Sequence, residues 1–210
     1  LWITMDSYKS ITPHFTHVEE YYVESQIPYQ YRGGGTAQNL RGDDYVKSYP
    51  LPFDFPYFRE VIPAGTNIYI CTNGFIDFAV SSTDYTDTVA ELISNKRIAV
   101  LWQDLKTNGT AQPGEDVYIT VNPDKLIIRW VAETLSYARI VNIELILYTD
   151  GQIQFNYDGG NDFSGTSLRP TIGISKGDGL NYDLSVYNEQ ATLTNVNSDL
   201  FTPTGPDPSP

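Results

Sequence analysis

The chain has 210 residues, and its 13 basic against 26 acidic side chains give a formal net charge of −13. A surface this acidic repels phosphate groups, which argues against nucleic acid and anionic membranes as partners. The single cysteine excludes an internal disulfide, and a chain of this length buries enough surface to be stable without one. No apolar run approaches the ~20 residues of a membrane-spanning helix, so we expect no membrane insertion.

Residues 1–38 differ from the rest because their aromatic and β-branched residues do not alternate cleanly with polar ones. A strand is predicted from Val18 to Gln26, and the glycines Gly33 to Gly35 after it are typical of a flexible joint. We predict an extended segment that pairs with a sheet edge of its own domain or of another chain. The chain opens on Leu1 without a signal-peptide pattern, so we expect that such a peptide has already been removed.

From Leu51 onward, short strand-like runs are separated by turn signals. Asn73-Gly74 and Asp150-Gly151 each lie between two such runs, which predicts two hairpins. The uninterrupted apolar run from Ile98 to Trp102 predicts a strand that is buried on both faces. The mixed residues from Val89 to Ile93 leave a short helix and a loop both open.

Short strands with turn signals at nearly regular spacing predict an all-β domain, an antiparallel, jelly-roll-like β-sandwich. We place this sandwich at residues 39–201, between the extended segment 1–38 and a proline-rich tail or linker at 202–210. Cys71, Trp102 and Trp130 lie in apolar runs and are predicted to be buried.

Several strand motifs follow one another in a definite order: Leu51-Pro-Phe-Asp-Phe-Pro-Tyr-Phe, Thr72-Asn-Gly-Phe-Ile-Asp-Phe, Ile98-Ala-Val-Leu-Trp-Gln-Asp-Leu, Leu126-Ile-Ile-Arg-Trp, and Ile143 to Tyr157. This order resembles the β-sandwich module of many bacterial and archaeal surface proteins. That module is similar to the ectodomain of the plexin-domain-containing receptors and, more distantly, to the NIDO module of nidogen. The resemblance covers Asn39 to Phe201 and implies an extracellular, non-enzymatic module in adhesion, matrix or cell-surface architecture.

The histidines His14 and His17 both precede the predicted sandwich, so a Ser-His-Asp or Cys-His arrangement has no base there. We interpret them as a surface pair, because a metal site would need further ligands. Glu133 and Glu144 are the acids inside strong strands, and Glu144 alternates with Ile143 on a face that we expect to be solvated. A glycosidase would need two facing acids. We therefore predict that the chain is not an enzyme and requires no cofactor.

Three groups of loop residues are candidates for calcium, which binds six to eight oxygens. They are Asp158, Asn161 and Asp162; Asp178 and Asp183; and Asp104 with Glu115 and Asp116. None has the spacing of an EF-hand loop, and turns rich in Asp, Asn and Gly produce the same pattern without an ion. A calcium site and a purely structural role therefore both stay open.

Two short motifs suggest surface chemistry. Asn108-Gly-Thr110 is the single N-glycosylation sequon, in a polar loop after Leu105. Arg41-Gly-Asp43 is an integrin-type tripeptide, but three residues are short enough to occur by chance.

A tyrosine cluster, formed by Tyr21, Tyr22, Tyr29 and Tyr31, is a candidate for contact with a sugar, a partner subunit or the chain's own sheet. Two functions follow from these observations. The first is an extracellular structural or adhesive surface protein that assembles with copies of itself, or with other surface proteins, into a layer or filament. The alternative is a carbohydrate-binding module of a secreted protein, with glycans as its partner.

Overall fold

The computed structural model describes residues 20–205, which form sixteen strands and one short helix. In chain order the elements are β1 (Tyr22–Ile27), β2 (Thr36–Ala37), β3 (Val46–Pro50), β4 (Phe55–Tyr57), β5 (Glu60–Ile62), β6 (Asn67–Cys71), β7 (Phe75–Asp77), α1 (Val89–Ser94), β8 (Lys96–Trp102), β9 (Leu105–Lys106), β10 (Asp116–Asn122), β11 (Lys125–Thr134), β12 (Ile140–Tyr148), β13 (Ile153–Tyr157), β14 (Thr171–Lys176), β15 (Tyr182–Leu184) and β16 (Ser198–Pro203). The predicted surface histidines, His14 and His17, and the last residues of the predicted tail, 206–210, lie outside the described residues.

The strands form two large antiparallel sheets. The eight-stranded sheet has the order β1-β16-β13-β12-β11-β10-β2, with β9 paired to β11. The six-stranded sheet has the order β15-β14-β8-β7-β6-β3, and β4 and β5 form a separate hairpin. The predicted all-β antiparallel sandwich is confirmed.

Apolar and polar side chains alternate along the strands, so the apolar ones point inward and form the core between the two sheets. In β12, Ile143, Leu145 and Leu147 are fully buried and belong to one apolar cluster with residues of both sheets. Trp130 is buried in the same cluster, as predicted, and its indole N–H donates to the Cys71 carbonyl oxygen at 2.7 Å. Because β6 and β11 belong to different sheets, this hydrogen bond joins the sheets directly.

Both predicted hairpins are present. Cys71 of β6 pairs with Phe75 of β7 across the turn that contains Gly74, whose φ is 79°. Leu147 of β12 pairs with Ile153 of β13 across the Asp150-Gly151 turn. A positive φ favours glycine, so the glycine in each turn made both hairpins predictable from the sequence.

Residues 79–95, which we call the cover segment, lie over the outer face of the six-stranded sheet and include α1. Arg97 of β8 is fully buried on this face, and its Nε and Nη2 donate to the Asp77 carboxylate at 2.7 and 2.9 Å. Its guanidinium lies 4.3 Å from the ring centroid of Trp102, whose indole N–H donates to the Asp84 carbonyl of the cover segment at 3.1 Å. Bidentate pairing and stacking offset the cost of burying the guanidinium charge.

The outer face of the eight-stranded sheet is crossed by the chain's own N-terminal part. β1 and β2 occupy opposite ends of this sheet, with five strands between them. Residues 28–35, which we call the strap, connect these ends. Arg129 Nε donates to the Gly34 carbonyl at 2.9 Å, and the Tyr29 hydroxyl donates to the Asp158 carboxylate at 2.6 Å. The backbone N–H of Gln30 also donates to Ser198 Oγ of β16 at 3.0 Å. The strap is therefore held to the sheet at three separate points.

Glu144 lies fully buried on this outer face, so the prediction of a solvated face is wrong there. Its Oε2 accepts a hydrogen bond from Asn156 Nδ2 at 2.6 Å, and Asn156 Oδ1 accepts one from Gln154 Nε2 at 2.7 Å. Burial raises the pKa of Glu144. The alternation with Ile143 placed the side chain on the correct face, but only the strap explains its burial.

We expect Gly74→Ala to destabilise the protein more than Gly179→Ala. Both glycines have positive φ, which costs alanine about 1–2 kcal/mol. A Cβ at Gly74 would also overlap the Leu101 carbonyl oxygen, whereas nothing lies within 4 Å of one at Gly179. Urea unfolding followed by circular dichroism should show a loss for Gly74→Ala that is greater by about 2 kcal/mol or more. Equal losses in the two variants would contradict the packing described at this turn.

Candidate functional site

An acidic rim is built where three loops meet at the β6–β7 turn. Asn73 is fully buried in this turn, and its Nδ2 donates to Asp44 Oδ1 at 2.8 Å and to the Asp84 carbonyl at 3.1 Å. Its Oδ1 accepts from the backbone N–H of Leu105 at 2.9 Å. One amide side chain therefore ties all three loops together. We define the acidic rim as Asp43, Asp44, Asp84, Asp87 and Asp104.

Three carboxylates of the acidic rim are crowded. Asp43, Asp44 and Asp104 each offer an oxygen within 4.8 Å of the others, and they are the one such set of three among residues 20–205. Asp43 Oδ1 and Asp104 Oδ1 are buried without a hydrogen-bond partner. Burial, and then the neighbouring carboxylates, raise the pKa of both residues. Burial raises the pKa of Asp87 to about 7, and Asp104 and Asp84 add to the effect. Such oxygens are the ligands that calcium prefers.

Lys106 links the acidic rim to two buried glutamates. It pairs with Asp43 in an isolated β-bridge, and its Nζ lies 3.0 Å from Glu133 Oε1. Glu133 Oε2 accepts from the backbone N–H groups of residues 110 and 111 at 3.0 and 2.6 Å. Glu115 is 1% exposed, and burial, followed by the charge of Glu133, raises its pKa, whereas backbone hydrogen bonds from Gly109 and Gln112 act in the opposite direction.

The first predicted calcium group is engaged in structural hydrogen bonds. Asp158 Oδ1 accepts from Tyr29, and Asp162 Oδ1 accepts two hydrogen bonds. Asn161 is fully buried, where its Oδ1 accepts from the backbone N–H of Asn142 and its Nδ2 donates to the Asn142 carbonyl. These three side chains stabilise turns through the hydrogen bonds described, and their role as calcium ligands stays a prediction.

The other two predicted calcium groups are divided among separate contacts. Both oxygens of Asp178 accept hydrogen bonds within its own turn. Asp183 lies on β15, where burial raises its pKa to about 6 and Glu20 and Glu24 add to the effect. In the third group, Asp104 belongs to the acidic rim, whereas both oxygens of Asp116 accept from backbone N–H groups.

The tyrosine cluster does not form one exposed surface. Tyr22 is 2% exposed in the core, so its prediction as a ligand or partner contact is wrong. Tyr21 packs against that core, with the Arg59 guanidinium 4.8 Å from its ring centroid. Tyr29 and Tyr31 lie on the strap instead, and Tyr29 is 42% exposed.

The two short surface motifs have different environments. Gly42 of the Arg41-Gly-Asp43 tripeptide is buried, and its backbone N–H and C=O both bond to Thr107. The tripeptide is therefore fixed against the β9 region, and its aspartate belongs to the acidic rim. Asn108 is exposed in the loop after β9, in a position accessible to glycosylation.

Sequence reasoning named Asp43 and Asp104 in separate motifs and did not group them. The contact depends on Asn73 and on the bridge between Asp43 and Lys106. Neither of these is visible in local spacing. The adjacent acids Asp43 and Asp44 were the available signal.

The outer edge of β1 is a second candidate surface. β1 ends the eight-stranded sheet, and a groove of about 360 Å³ is lined by Glu24, Ser25, Gln26 and Val186. Asp199 is fully buried opposite Gln26 and accepts from the Ser185 hydroxyl at 2.5 Å. Burial, and then the hydrogen bond with Glu24, raise the pKa of Asp199 to about 8. A protonated Asp199 can donate to Glu24, which holds β1 against β16.

The two packed sheets define the chain as a β-sandwich module, and no described helix is long and apolar enough to cross a membrane. A family model described as NIDO related matches residues 20–207. The chain therefore belongs to the NIDO-related family, which confirms the resemblance seen in the sequence and indicates an extracellular module. The match begins before β1 and includes the strap. Searches of the curated proteins and of the solved structures found no match.

We expect Asp199→Asn to flatten the pH dependence of the free energy of unfolding between about pH 5 and 8. The folded pKa of about 8 lies above the value of about 4 in an unfolded chain. Stability from this group is therefore complete below about pH 4, falls as the pH rises towards 8, and then levels off. Urea unfolding between pH 5 and 8 should show a wild-type slope that is steeper than the variant's by up to about 1.4 kcal/mol per pH unit. Identical slopes would refute a protonated Asp199.

Proposed function

We propose that the chain is a non-catalytic structural or adhesive module of the cell surface, which associates with copies of itself or with other surface proteins. The observation that carries this proposal is the open edge of β1. Its six residues make it the longest of the four strands that end the two large sheets. Unpaired backbone groups at such an edge are a template for a strand from another chain.

Both outer faces of the sandwich are covered by the chain itself, which favours the β1 edge as the surface for association. The strap crosses one outer face and the cover segment lies over the other, so neither sheet offers a broad, bare face to a partner. Val23 of β1 is 44% exposed, and the groove beside Glu24 and Gln26 has room for side chains of an added strand. Strand addition at β1 would therefore extend the eight-stranded sheet.

The burial of the glutamates in and beside the strands supports a non-catalytic role. Glu115, Glu133 and Glu144 are 1, 3 and 0% exposed. A glycosidase requires its two acids to flank a substrate bond, and these side chains are not accessible to a polysaccharide. Among residues 20–205 there is also no histidine to serve as a general base.

A carbohydrate-binding module is the second candidate, and two exposed tyrosines favour it. Tyr45 and Tyr85 directly follow Asp44 and Asp84 of the acidic rim and are 56 and 58% exposed. Aromatic rings beside carboxylates suit the apolar and hydroxyl faces of a sugar. A polysaccharide pull-down should then be lost in Tyr45→Ala with Tyr85→Ala, and kept in the control Tyr137→Ala, whose ring is 59% exposed. Equal binding by all variants, or none by the wild type, would remove this candidate.

We expect Val23→Lys to weaken self-association, because a lysine at the edge of β1 opposes pairing with a second strand. Gel filtration with light scattering, over a range of protein concentrations, should show oligomers of the wild type that shift towards monomer in the variant. Leu180→Lys is the matched control, since Leu180 is an aliphatic residue 82% exposed in a loop. Wild-type protein that stays monomeric at every concentration, or oligomers unchanged by Val23→Lys, would argue against association through β1.

A further inference from the structure

The strap spans the eight-stranded sheet with very little spare chain. β1 and β2 lie six strand spacings apart in the sheet order β1-β16-β13-β12-β11-β10-β2. At ~4.8 Å per spacing the distance to be crossed is about 29 Å. Nine residue steps join Ile27, the last residue of β1, to Thr36, the first residue of β2. Because a fully extended chain of that length reaches at most about 30–32 Å, the strap must be nearly fully extended.

The contacts of the strap agree with this extended course. The chain bends at Pro28 and has no further bend before β2. The backbone N–H of Gln30 donates to Ser198 of β16, whereas a Cβ at Gly35 would lie 3.1 Å from Tyr118 of β10. The five residue steps from Gln30 to Gly35 therefore cross the four spacings between β16 and β10. Those spacings measure about 19 Å, and five extended residues reach about 17–18 Å, so this part of the strap has no slack.

A hinge of three glycines lies at the β2 end of the strap. Gly33, Gly34 and Gly35 have φ values of 66°, 77° and 95°, in the region that favours glycine. A Cβ at Gly34 would meet nothing within 4 Å, and one at Gly33 would meet only the Tyr31 ring at 3.9 Å. Side-chain packing therefore does not fix the first two glycines in one conformation.

β1 is held to its sheet by contacts that a second copy of the chain offers equally. Its six residues pair with β16. Tyr22 enters the core, where it is 2% exposed and its ring centroid lies 5.2 Å from that of Phe58. Glu24 accepts from the backbone N–H of Val186 at 2.7 Å. Because another copy presents the same β16 and the same core, an exchange of β1 between two copies preserves all of these contacts.

We propose that two copies of the chain exchange β1 and residues 28–32, so that β1 of each copy pairs with β16 of the other. A connection this short favours exchange, because opening the hinge releases the extended strap while the contacts of β1 are kept. The exchange deepens the proposed self-association and rests on it, but through different contacts. The outer edge of β1 stays open in the exchanged dimer, so Val23→Lys should leave this dimer unchanged.

The length of the strap tests the exchange. Wild-type protein refolded from urea at high concentration should contain a dimer that persists on dilution, since its reversal requires β1 to leave the sheet. Inserting Gly-Ser-Gly-Ser after Gly34 should lower the dimer fraction at least about tenfold, because a slack strap keeps β1 near its own sheet at an effective concentration of roughly millimolar. The same insertion after Gly165, where a Cβ would meet nothing within 4 Å, is the matched control and should leave the fraction unchanged.

Shortening the strap should have the opposite effect. Deletion of Gly33 and Gly34 leaves seven residue steps, which reach at most about 25 Å and cannot cross the sheet within one copy. This variant should therefore be dimeric at every protein concentration. Gel filtration with light scattering measures the dimer fraction of all these proteins.

Mixed disulfides test the exchanged strand pairing directly. Ser25 of β1 and Leu200 of β16 are paired residues, and the native Cys71 is buried. Chains with Ser25→Cys, refolded together with chains with Leu200→Cys and then oxidised, should give a linked pair of the two different chains. Val121→Cys, at a residue of β10 that is 48% exposed, replaces Leu200→Cys in the control and should give no such pair.

The outcomes separate the exchange from association through the edge of β1. Dimers that do not respond to strap length and disappear in Val23→Lys would overturn the exchange and keep the edge. Dimers lost on lengthening the strap but kept in Val23→Lys would support the exchange and argue against the edge. Wild-type protein that refolds only to monomer would overturn the exchange. If the shortened variant fails to fold, the mixed disulfide decides, since absence of the linked pair would refute exchanged pairing.

Discussion

Polar groups on the outer faces of the sheets constrain the rest of this structure. The core covers only the inner faces, yet Glu144, Asn156 and Arg97 on the outer faces are fully buried. Their closest polar partners lie within the sheets, since Asn156 donates to Glu144 and Arg97 donates to Asp77. The strap and the cover segment cover these groups from two different places in the chain: the strap connects β1 to β2, and the cover segment connects β7 to β8. Because β1 and β2 end the same sheet on opposite sides, the strap cannot detach without disturbing both edges.

Buried charges in this protein fall into two classes. Arg97 meets Asp77 in bidentate geometry and lies over the rings of Phe75 and Trp102, so its charge is compensated within a closed group. Asp199 and Glu115 face another carboxylate instead, and their pKa values are raised. Such a pair needs a proton or a cation, since two adjacent ionised carboxylates repel each other in a medium of low polarity. The stability of the fold therefore depends on pH or on cations through the second class of buried charges, but not through the first.

The covered faces leave the edges and loops as the surfaces through which a module of this kind meets its surroundings. The open edge of β1 and the acidic rim are formed by different parts of the chain, and they offer different chemistry: backbone hydrogen bonds at the first and carboxylate oxygens at the second. Membership in the NIDO-related family indicates an extracellular setting for these surfaces.

Much of the architecture was predictable from sequence because it depends on neighbours in the chain. Asn73-Gly74 and Asp150-Gly151 mark hairpins through turn chemistry alone, and period-two alternation placed Ile143 in the core and Glu144 on the outer face. The burial of Glu144, the position of Tyr22 in the core and the grouping of Asp43 with Asp104 were decided only by tertiary structure. Each depends on strand pairing and loop contacts between segments that are distant in sequence. The local pattern of residues does not specify which segment will cover which face of a sheet.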